Sequence, residues 1–168
     1  TSPQYSFCIT CKGRNDHLKQ TLEKSLANTW NRKDVEFVIL AYGDPETVAW
    51  VKEQYPVEIA SGKITLAYTE AENFNHSHAK NMAHKLGSGK ILCNLDADHR
   101  ITPEFLSFMD NTFAAENVRP SFVFARRIFK HDKAEEVAEL KKDFDRGGLG
   151  GRIALRKEDF YKVHGYRE

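Results

Sequence analysis

Residues 74–98 read FNHSHAKNMAHKLGSGKILCNLDAD, and this stretch decides the fold. Residues 76–86 repeat apolar side chains at helical spacing, and the glycines that follow predict the end of that helix. Residues 91–95 form a short apolar run, which predicts a buried strand. Asp96 and Asp98 come directly after this strand. A helix that leads into a buried strand belongs to a βαβ unit, so the stretch indicates an α/β fold.

The same alternation of strands and helices extends over the rest of the chain. Further strands are predicted at residues 5–10, 35–40 and 64–68, at one or two places within residues 121–129, and at residues 153–155. Asp44 followed by Pro45 predicts a helix start. Apolar side chains one turn apart mark three helices, and they are Leu18, Leu22, Leu26 and Trp30; Val48, Val51 and Tyr55; and Phe105, Met109 and Phe113. A charged helix over residues 133–144 and another over residues 157–163 complete an α/β pattern with a mostly parallel sheet.

Length and charge exclude several classes of protein. A chain of 168 residues is typical of one domain. Its formal net charge of +1 gives no electrostatic basis for binding nucleic acid, so no nucleic-acid partner is expected. No apolar run approaches the roughly 20 residues that a helix needs to cross a bilayer, so no membrane span is expected.

The cysteines indicate a reducing environment. Cys8, Cys11 and Cys93 make an odd and sparse set, unlike the disulfide framework of a small secreted protein. We therefore expect a cytoplasmic location. Cys8 and Cys11 form a C-x-x-C at a strand-to-helix junction, where a redox motif is one interpretation. Their place in the apolar first strand favours ordinary buried cysteines instead.

Asp96 and Asp98 are the centre of the functional prediction. Side chains two residues apart in extended chain point the same way, so both carboxylates face one crevice. Two such charges are unfavourable together without a cation, and Mg²⁺ and Mn²⁺ prefer carboxylate, water and phosphate oxygens. The alternative is two solvated aspartates that begin a turn. The position favours a metal site, because ligands of parallel sheets bind at the carboxyl ends of strands, where residues 12–15 and 42–44 also lie.

Over essentially its whole length, the chain resembles family-2 glycosyltransferases of the GT-A fold. The matching pieces are the first strand with CKGRNDHLKQTLEKSLANTW, the strand VEFVILAYGD, the stretch 74–98 and the terminal GGRIALRKEDFYKVHGYRE. The resemblance implies a Rossmann-like three-layer sandwich and a metal-dependent, inverting hexosyl transfer in glycan or polysaccharide synthesis. The implied donor is a nucleoside-diphosphate sugar, with a UDP-sugar favoured. The acceptor would be a glycan or other hydroxyl compound, and the cofactor Mn²⁺ or Mg²⁺.

The resemblance also implies roles for individual residues. Asp98 would ligate the metal, and Asp96 would contact the ribose or the water shell of the metal. His164 would supply a further metal or phosphate contact. Many relatives end the second strand with an acidic pair that contacts the base, where this chain has Ala41 and Tyr42, and Asp44 or Tyr42 would replace that contact. The remaining residues implied in the nucleotide-sugar pocket are Thr10, Lys12, Arg14, Lys80 and Ala97, with Asn81 supporting the turn.

The resemblance leaves two positions open for the catalytic base. In the family it lies in an acidic motif downstream of a G-[FY]-x-E segment, and this chain ends at Glu168. Either Glu168 is the base or the base lies beyond it. We expect one GT-A catalytic domain over residues 1–168, C-terminally truncated, with a nucleotide-sugar-binding half (1–100) and an acceptor-side half (101–168). The glycine-rich residues 147–151 are predicted to form a mobile flap over the donor site.

Two other functions remain open at this point. A sugar-nucleotide-binding domain without catalysis would explain the uncertain base. A divalent-metal hydrolase would instead use His76 and His78 together with Asp96, Asp98 and His99, since zinc sites favour imidazole. Histidines at the start of a helix are more often only polar surface residues, so the hydrolase is the weaker alternative.

Overall fold

A computed structural model of the chain describes residues 2–114, 123–124 and 153–167, the pair 123–124 by its backbone alone. The strands in these ranges are β1 (Tyr5–Cys11), β2 (Val35–Tyr42), β3 (Ile64–Thr69), β4 (Ile91–Asn94), β5 (Val123–Phe124) and β6 (Ile153–Arg156). The helices are α1 (Asn15–Asn28), α2 (Pro45–Gln54), α3 (Pro56–Ser61), α4 (His76–Leu86), α5 (Pro103–Ala114) and α6 (Lys157–Lys162). None of these helices has the length and apolarity that a bilayer crossing requires.

The strands form a six-stranded sheet in the order β3-β2-β1-β4-β6-β5. The first four are parallel, with Tyr5 opposite both Val35 and Ile91. Strand β6 is antiparallel to β4, and β5 is antiparallel to β6. The α/β fold with a mostly parallel sheet is therefore confirmed. The parallel arrangement brings the carboxyl ends of β1, β2 and β4 to one edge of the sheet.

Helices cover both faces of this sheet, because successive side chains of a strand point to opposite faces. Phe7 and Ile9 of β1 pack with Leu18 and Leu22 of α1, in a core that also contains residues of α2 and α5. Cys8, between them, belongs to a second core on the other face, built with residues of β2 and α4. The result is a three-layer α/β/α sandwich. All eight residues of β2 are buried, as expected of a central strand between two helical layers.

Some element boundaries differ from the sequence-based predictions. The apolar stripe of α1 does not continue to Trp30, whose side chain is 80% exposed, because the helix ends at Asn28 and the chain turns at Thr29. The short helix α3 was not predicted, since six residues are too few to show an apolar period. Asp44 caps α2 as predicted, by accepting a hydrogen bond from the backbone amide of Thr47. The helix predicted over residues 133–144 and the flap over residues 147–151 lie outside the described residues.

The three cysteines are buried, and none of them forms a disulfide. Burial raises the pKa of the Cys8 thiol well above its usual value, and burial is also the largest cause of a raised pKa at Cys11. Both thiols therefore stay protonated near neutral pH, whereas redox chemistry needs the thiolate. This environment favours the interpretation of the C-x-x-C as part of the core.

Candidate metal and nucleotide site

The Asp96–Asp98 segment leaves the sheet directly at the end of β4. The Leu95 amide still bonds to the Cys8 carbonyl of β1, at 2.9 Å. Leu95 and Ala97 are buried, and the aspartates between and after them are outward, with side chains 43% and 55% exposed. This alternation is that of extended chain, so both carboxylates point away from the core. The expected placement of the aspartates at the carboxyl edge is observed.

Helix α1 holds the backbone that follows the aspartates. Thr21 donates a hydrogen bond to the Ala97 carbonyl at 2.6 Å. One turn later, Ser25 accepts from the Ile101 amide at 2.9 Å, and Asn28 donates to the Ile101 carbonyl at 2.9 Å. The three polar side chains lie on one face of α1, since their spacing is four and three residues. They bond to the loop at Ala97 and at Ile101, so a regular helix holds the backbone on both sides of Asp98.

His99 completes a cluster of three potential metal ligands with Asp96 and Asp98. One ligand atom from each lies within 4.8 Å of the other two. A turn brings the imidazole back, because the His99 amide bonds to the Asp96 carbonyl at 2.9 Å. His99 Nδ1 is buried and makes no well-oriented hydrogen bond within the described structure, although it lies 3.0 Å from Asp98 Oδ1. A buried nitrogen without a proper partner beside two carboxylates fits a metal ligand.

Space for a ligand adjoins this cluster. A cavity of about 490 Å³ is lined by Asp98 and His99. Its other walls come from α1 and from the loop that leads to α5, and they are Gln20, Thr21, Lys24, Arg100 and Thr102. A second cavity of about 540 Å³ is lined by Val35 and Lys63, near the starts of β2 and β3. It therefore lies at the opposite edge of the sheet from the aspartates.

The turns after β1 and β2 are joined to one another through Asp44. Its carboxylate is only 8% exposed and accepts from the Gly13 amide at 3.0 Å and from the Thr47 hydroxyl at 3.1 Å. Lys12 donates to the Ala71 carbonyl at 2.7 Å. The predicted nucleotide residues Lys12 and Asp44 thus stabilise the turns at this edge of the sheet through bonds to neighbouring backbone. A direct contact of either with a nucleotide stays a prediction.

Tyr42 is also a structural contact in this part of the fold. It is 4% exposed, and its hydroxyl lies 2.8 Å from His78 Nδ1. The phenol ring packs edge-on against Phe74 at 5.6 Å. A base contact through this buried phenol, like the one through Asp44, is untested. His78 is half-buried because its contact with Tyr42 joins α4 to β2.

The structure disfavours the hydrolase cluster. His78 is engaged with Tyr42, and the His76 ring packs on Phe74 at 4.2 Å. Among the described residues, neither histidine belongs to the cluster formed with Asp96 and Asp98. Nor does His164, which is exposed and has a left-handed backbone, with φ 61°.

Three of the remaining predicted residues lie at the same edge. Thr10 is half-buried near the end of β1, and Arg14 is exposed at the start of α1. Lys80 lies on α4 with its ammonium 5.4 Å from the centre of the Tyr166 ring. The predicted base Glu168 lies outside the described residues.

Sequence reasoning placed Asn15 in the turn after β1 but gave its side chain no role in the site. Both polar atoms of its side chain are buried, and they have no hydrogen-bond partner within the described parts of the chain. It follows the β1 turn at the first position of α1, a helix whose preceding residue gives no side-chain cap. A lone asparagine carries no pattern in sequence, and only its burial distinguishes it.

The chain is similar to known glycosyltransferases in sequence pattern and in fold. The family model described as "Glycosyl transferase family 2" matches residues 6–164. No curated protein matches the sequence significantly. A mannosyltransferase from Pyrobaculum calidifontis, PcManGT, solved in complex with GDP-Man and Mn²⁺, superposes with a TM-score of 0.72 at 17% identity, over 99% of this chain and 48% of that one.

A second solved structure is similar in the same way. TarS from S. aureus in complex with UDP-GlcNAc superposes with a TM-score of 0.70 at 12% identity, over 98% of this chain and 48% of that one. The chain thus spans about half the length of the solved structures that it matches. At these identities the likeness shows the GT-A fold, whereas the family match covers nearly the whole sequence. The chain belongs to glycosyl transferase family 2.

Proposed function

We propose that this chain carries the donor site of a metal-dependent, inverting glycosyltransferase. The donor is a nucleoside-diphosphate sugar, with a UDP-sugar favoured, and the acceptor is a hydroxyl group of a glycan or similar compound. The observation that carries the proposal is the cluster of Asp96, Asp98 and His99 at the end of a buried parallel strand. The family match and the nucleotide sugars in the two solved relatives support the same chemistry.

The ligand set favours Mn²⁺ over Mg²⁺. Mg²⁺ binds oxygen ligands almost entirely and keeps several waters, whereas one of the three groups here is an imidazole. Asp98 and His99 line the cavity and would hold the ion there together with Asp96, whose ligand atom lies within 4.8 Å of theirs. When bound, such an ion offsets the charge that develops on the departing diphosphate. The solved mannosyltransferase contains Mn²⁺, which agrees with this choice.

The chain's own residues would orient the donor and receive the proton. The turns joined by Asp44 and Lys12 would form a rigid wall against the nucleotide. Inversion requires the acceptor oxygen to attack from the side opposite the diphosphate. A carboxylate must then remove its proton, since a hydroxyl is a weak nucleophile at neutral pH. Glu168 remains the proposed base within the sequence.

The second candidate is a sugar-nucleotide-binding domain that does not turn over by itself. It rests on the undetermined base, and it predicts donor binding without loss of the sugar.

A cytoplasmic location remains part of the proposal.

A donor screen tests the proposal and separates the two candidates. UDP- and GDP-sugars are incubated with the chain and either Mn²⁺ or a chelator. Donor binding is measured, and the released nucleoside diphosphate is measured with and without hydroxyl acceptors. We expect release that requires Mn²⁺ and increases with an acceptor. Binding without release supports the non-catalytic domain. Absence of nucleotide binding in Mn²⁺ would contradict both.

A further inference from the structure

Within the described residues, Tyr166 in the segment after α6 makes several contacts with α4. Three side chains of α4 contact it: Lys80 approaches the face of its ring, Asn81 bonds to its backbone, and His84 lies 3.4 Å from its hydroxyl. The tyrosine is 85 residues from Asn81 along the chain, so this is a tertiary contact between the two halves of the predicted domain.

Asn81 makes the most specific of these contacts. Its amide nitrogen donates to the Tyr166 carbonyl at 2.9 Å, and its amide oxygen accepts from the Tyr166 amide at 2.7 Å. The Asn81 side chain therefore satisfies both backbone groups of Tyr166, as a neighbouring β-strand would. Such a paired contact fixes both position and orientation of the backbone, which a single hydrogen bond does not.

The preceding turn is shaped to allow this contact. Gly165 has φ 75°, a conformation that favours glycine. A Cβ atom at Gly165 would overlap Asn81 Oδ1 and would also approach the Phe160 ring to 3.1 Å. A glycine at 165 is thus needed for the contact with Asn81, which links α4 to the segment that follows α6.

Aromatic packing holds the other side of Tyr166. The His84 ring stacks on Phe160 at 5.2 Å and meets the Tyr166 ring edge-on at 5.2 Å. His84 Nδ1 lies 2.7 Å from the Lys80 carbonyl, which only accepts, so this nitrogen carries the proton. Burial lowers the pKa of His84 to about 4, and the imidazole is therefore neutral with Nε2 free to accept from Tyr166.

The clamped segment reaches towards the candidate metal site. Tyr166 packs on a cluster that contains Leu92 of β4, the strand that leads to the aspartates. Burial is the largest cause of the raised pKa of the Tyr166 phenol, and Cys93, Cys8 and Asp96 contribute less. Lys80, a predicted nucleotide residue, is the immediate neighbour of Asn81 on α4.

We propose that Asn81 is a positioning residue: its amide fixes the Tyr166 backbone and so places the acceptor-side segment beside the donor site. The inference rests on the proposed function for its effect on turnover, but the clamp itself does not. Asn81 touches neither metal nor acceptor in this role. Its loss should therefore impair sugar turnover far more than donor affinity.

Asn81→Asp is the sharpest variant. It is nearly isosteric and keeps the oxygen that accepts from Tyr166, but it replaces the donating nitrogen by an oxygen that faces the Tyr166 carbonyl. Asn111→Asp is the matched control, since Asn111 is exposed on α5. Gly165→Ala disrupts the same contact, because the added Cβ would overlap Asn81 Oδ1. This variant replaces Asn81→Asp in the experiments if Asn81→Asp does not fold.

Hydrogen exchange without ligand tests the clamp. We expect about tenfold faster exchange over residues 160–167 in Asn81→Asp and Gly165→Ala, since one hydrogen bond to a buried group is lost or strained. Exchange in β1 and in Asn111→Asp should be unchanged. Unchanged exchange over residues 160–167 in both variants would overturn the inference.

Steady-state kinetics test the positioning. With a UDP- or GDP-sugar and Mn²⁺, kcat should fall about tenfold in both variants, while the Kd of the nucleoside diphosphate changes less than about threefold. Unchanged kcat despite faster exchange would make the clamp merely structural and overturn the inference. An equal loss in kcat and in donor affinity would place Asn81 in the donor pocket instead. A wild-type chain that binds no nucleoside diphosphate contradicts the proposed function, and the unliganded exchange still decides the clamp.

Discussion

Replacing Asp44 by alanine should destabilise the fold strongly, although the residue lies in a turn. Its carboxylate accepts from the α2 amide of Thr47, from the Thr47 hydroxyl and from the Gly13 amide of the neighbouring turn. Loss of an N-cap costs about 1 kcal/mol. Loss of the hydrogen bond from the Gly13 amide to this charged acceptor costs about 2 kcal/mol more. We expect the free energy of unfolding to fall by about 3 kcal/mol.

Urea denaturation followed by circular dichroism measures this change. Glu46→Ala is the matched control, because Glu46 is an exposed acidic residue in the first turn of the same helix. It should cost less than about 1 kcal/mol. Asp44→Asn should fall between the two, since asparagine still caps α2 but turns an amide against the Gly13 N–H. If the free energy of unfolding of Asp44→Ala lies within about 0.5 kcal/mol of that of Glu46→Ala, the Asp44 carboxylate does not join the two turns.

Three further predictions concern the scaffold. The pKa of His84 is lowered from 6.5 to about 4, so the neutral imidazole stabilises the fold above pH 6.5 and this contribution is lost as the pH falls towards 4. In urea titrations, the free energy of unfolding should therefore fall less with pH in His84→Leu than in wild type, by up to about 3 kcal/mol. Gly43→Ala should cost more unfolding free energy than Gly62→Ala by at least about 1 kcal/mol, because both have positive φ but only Gly43 lies against backbone, and equal costs would refute that packing. Trp30→Ala should change stability by less than about 0.5 kcal/mol, whereas Leu22→Ala should cost about 3 kcal/mol; a large effect at Trp30 would contradict its exposure.

The fold and the place of the site could be predicted from sequence because both depend on local patterns. The apolar run before Asp96 marks a buried strand, and the position of a turn after a parallel strand determines the edge at which it lies. The order of helix, glycine stop and strand in residues 74–98 also carries the family resemblance.

The contacts within the site could not be predicted in the same way. The resemblance implies base contacts for Asp44 or Tyr42, but it does not show their bonds to Gly13 and His78, which are formed across the fold. His99 entered only the weaker hydrolase hypothesis, since nothing in its spacing shows the turn that returns its ring to the aspartates. The pairing of Asn81 with Tyr166 joins residues 85 positions apart and has no periodic signal.

The linkage between Mn²⁺ and nucleotide binding tests the central claim most directly. Calorimetry with UDP and GDP, with and without Mn²⁺, is compared for wild type, Asp98→Asn and the exposed control Asp16→Asn. We expect Mn²⁺ to tighten nucleotide binding at least about tenfold in wild type and in the control, and this coupling of about 1.4 kcal/mol to disappear in Asp98→Asn with the fold intact. An Asp98→Asn variant that keeps the full Mn²⁺-dependent gain in affinity would contradict the assignment of the metal site to Asp96, Asp98 and His99.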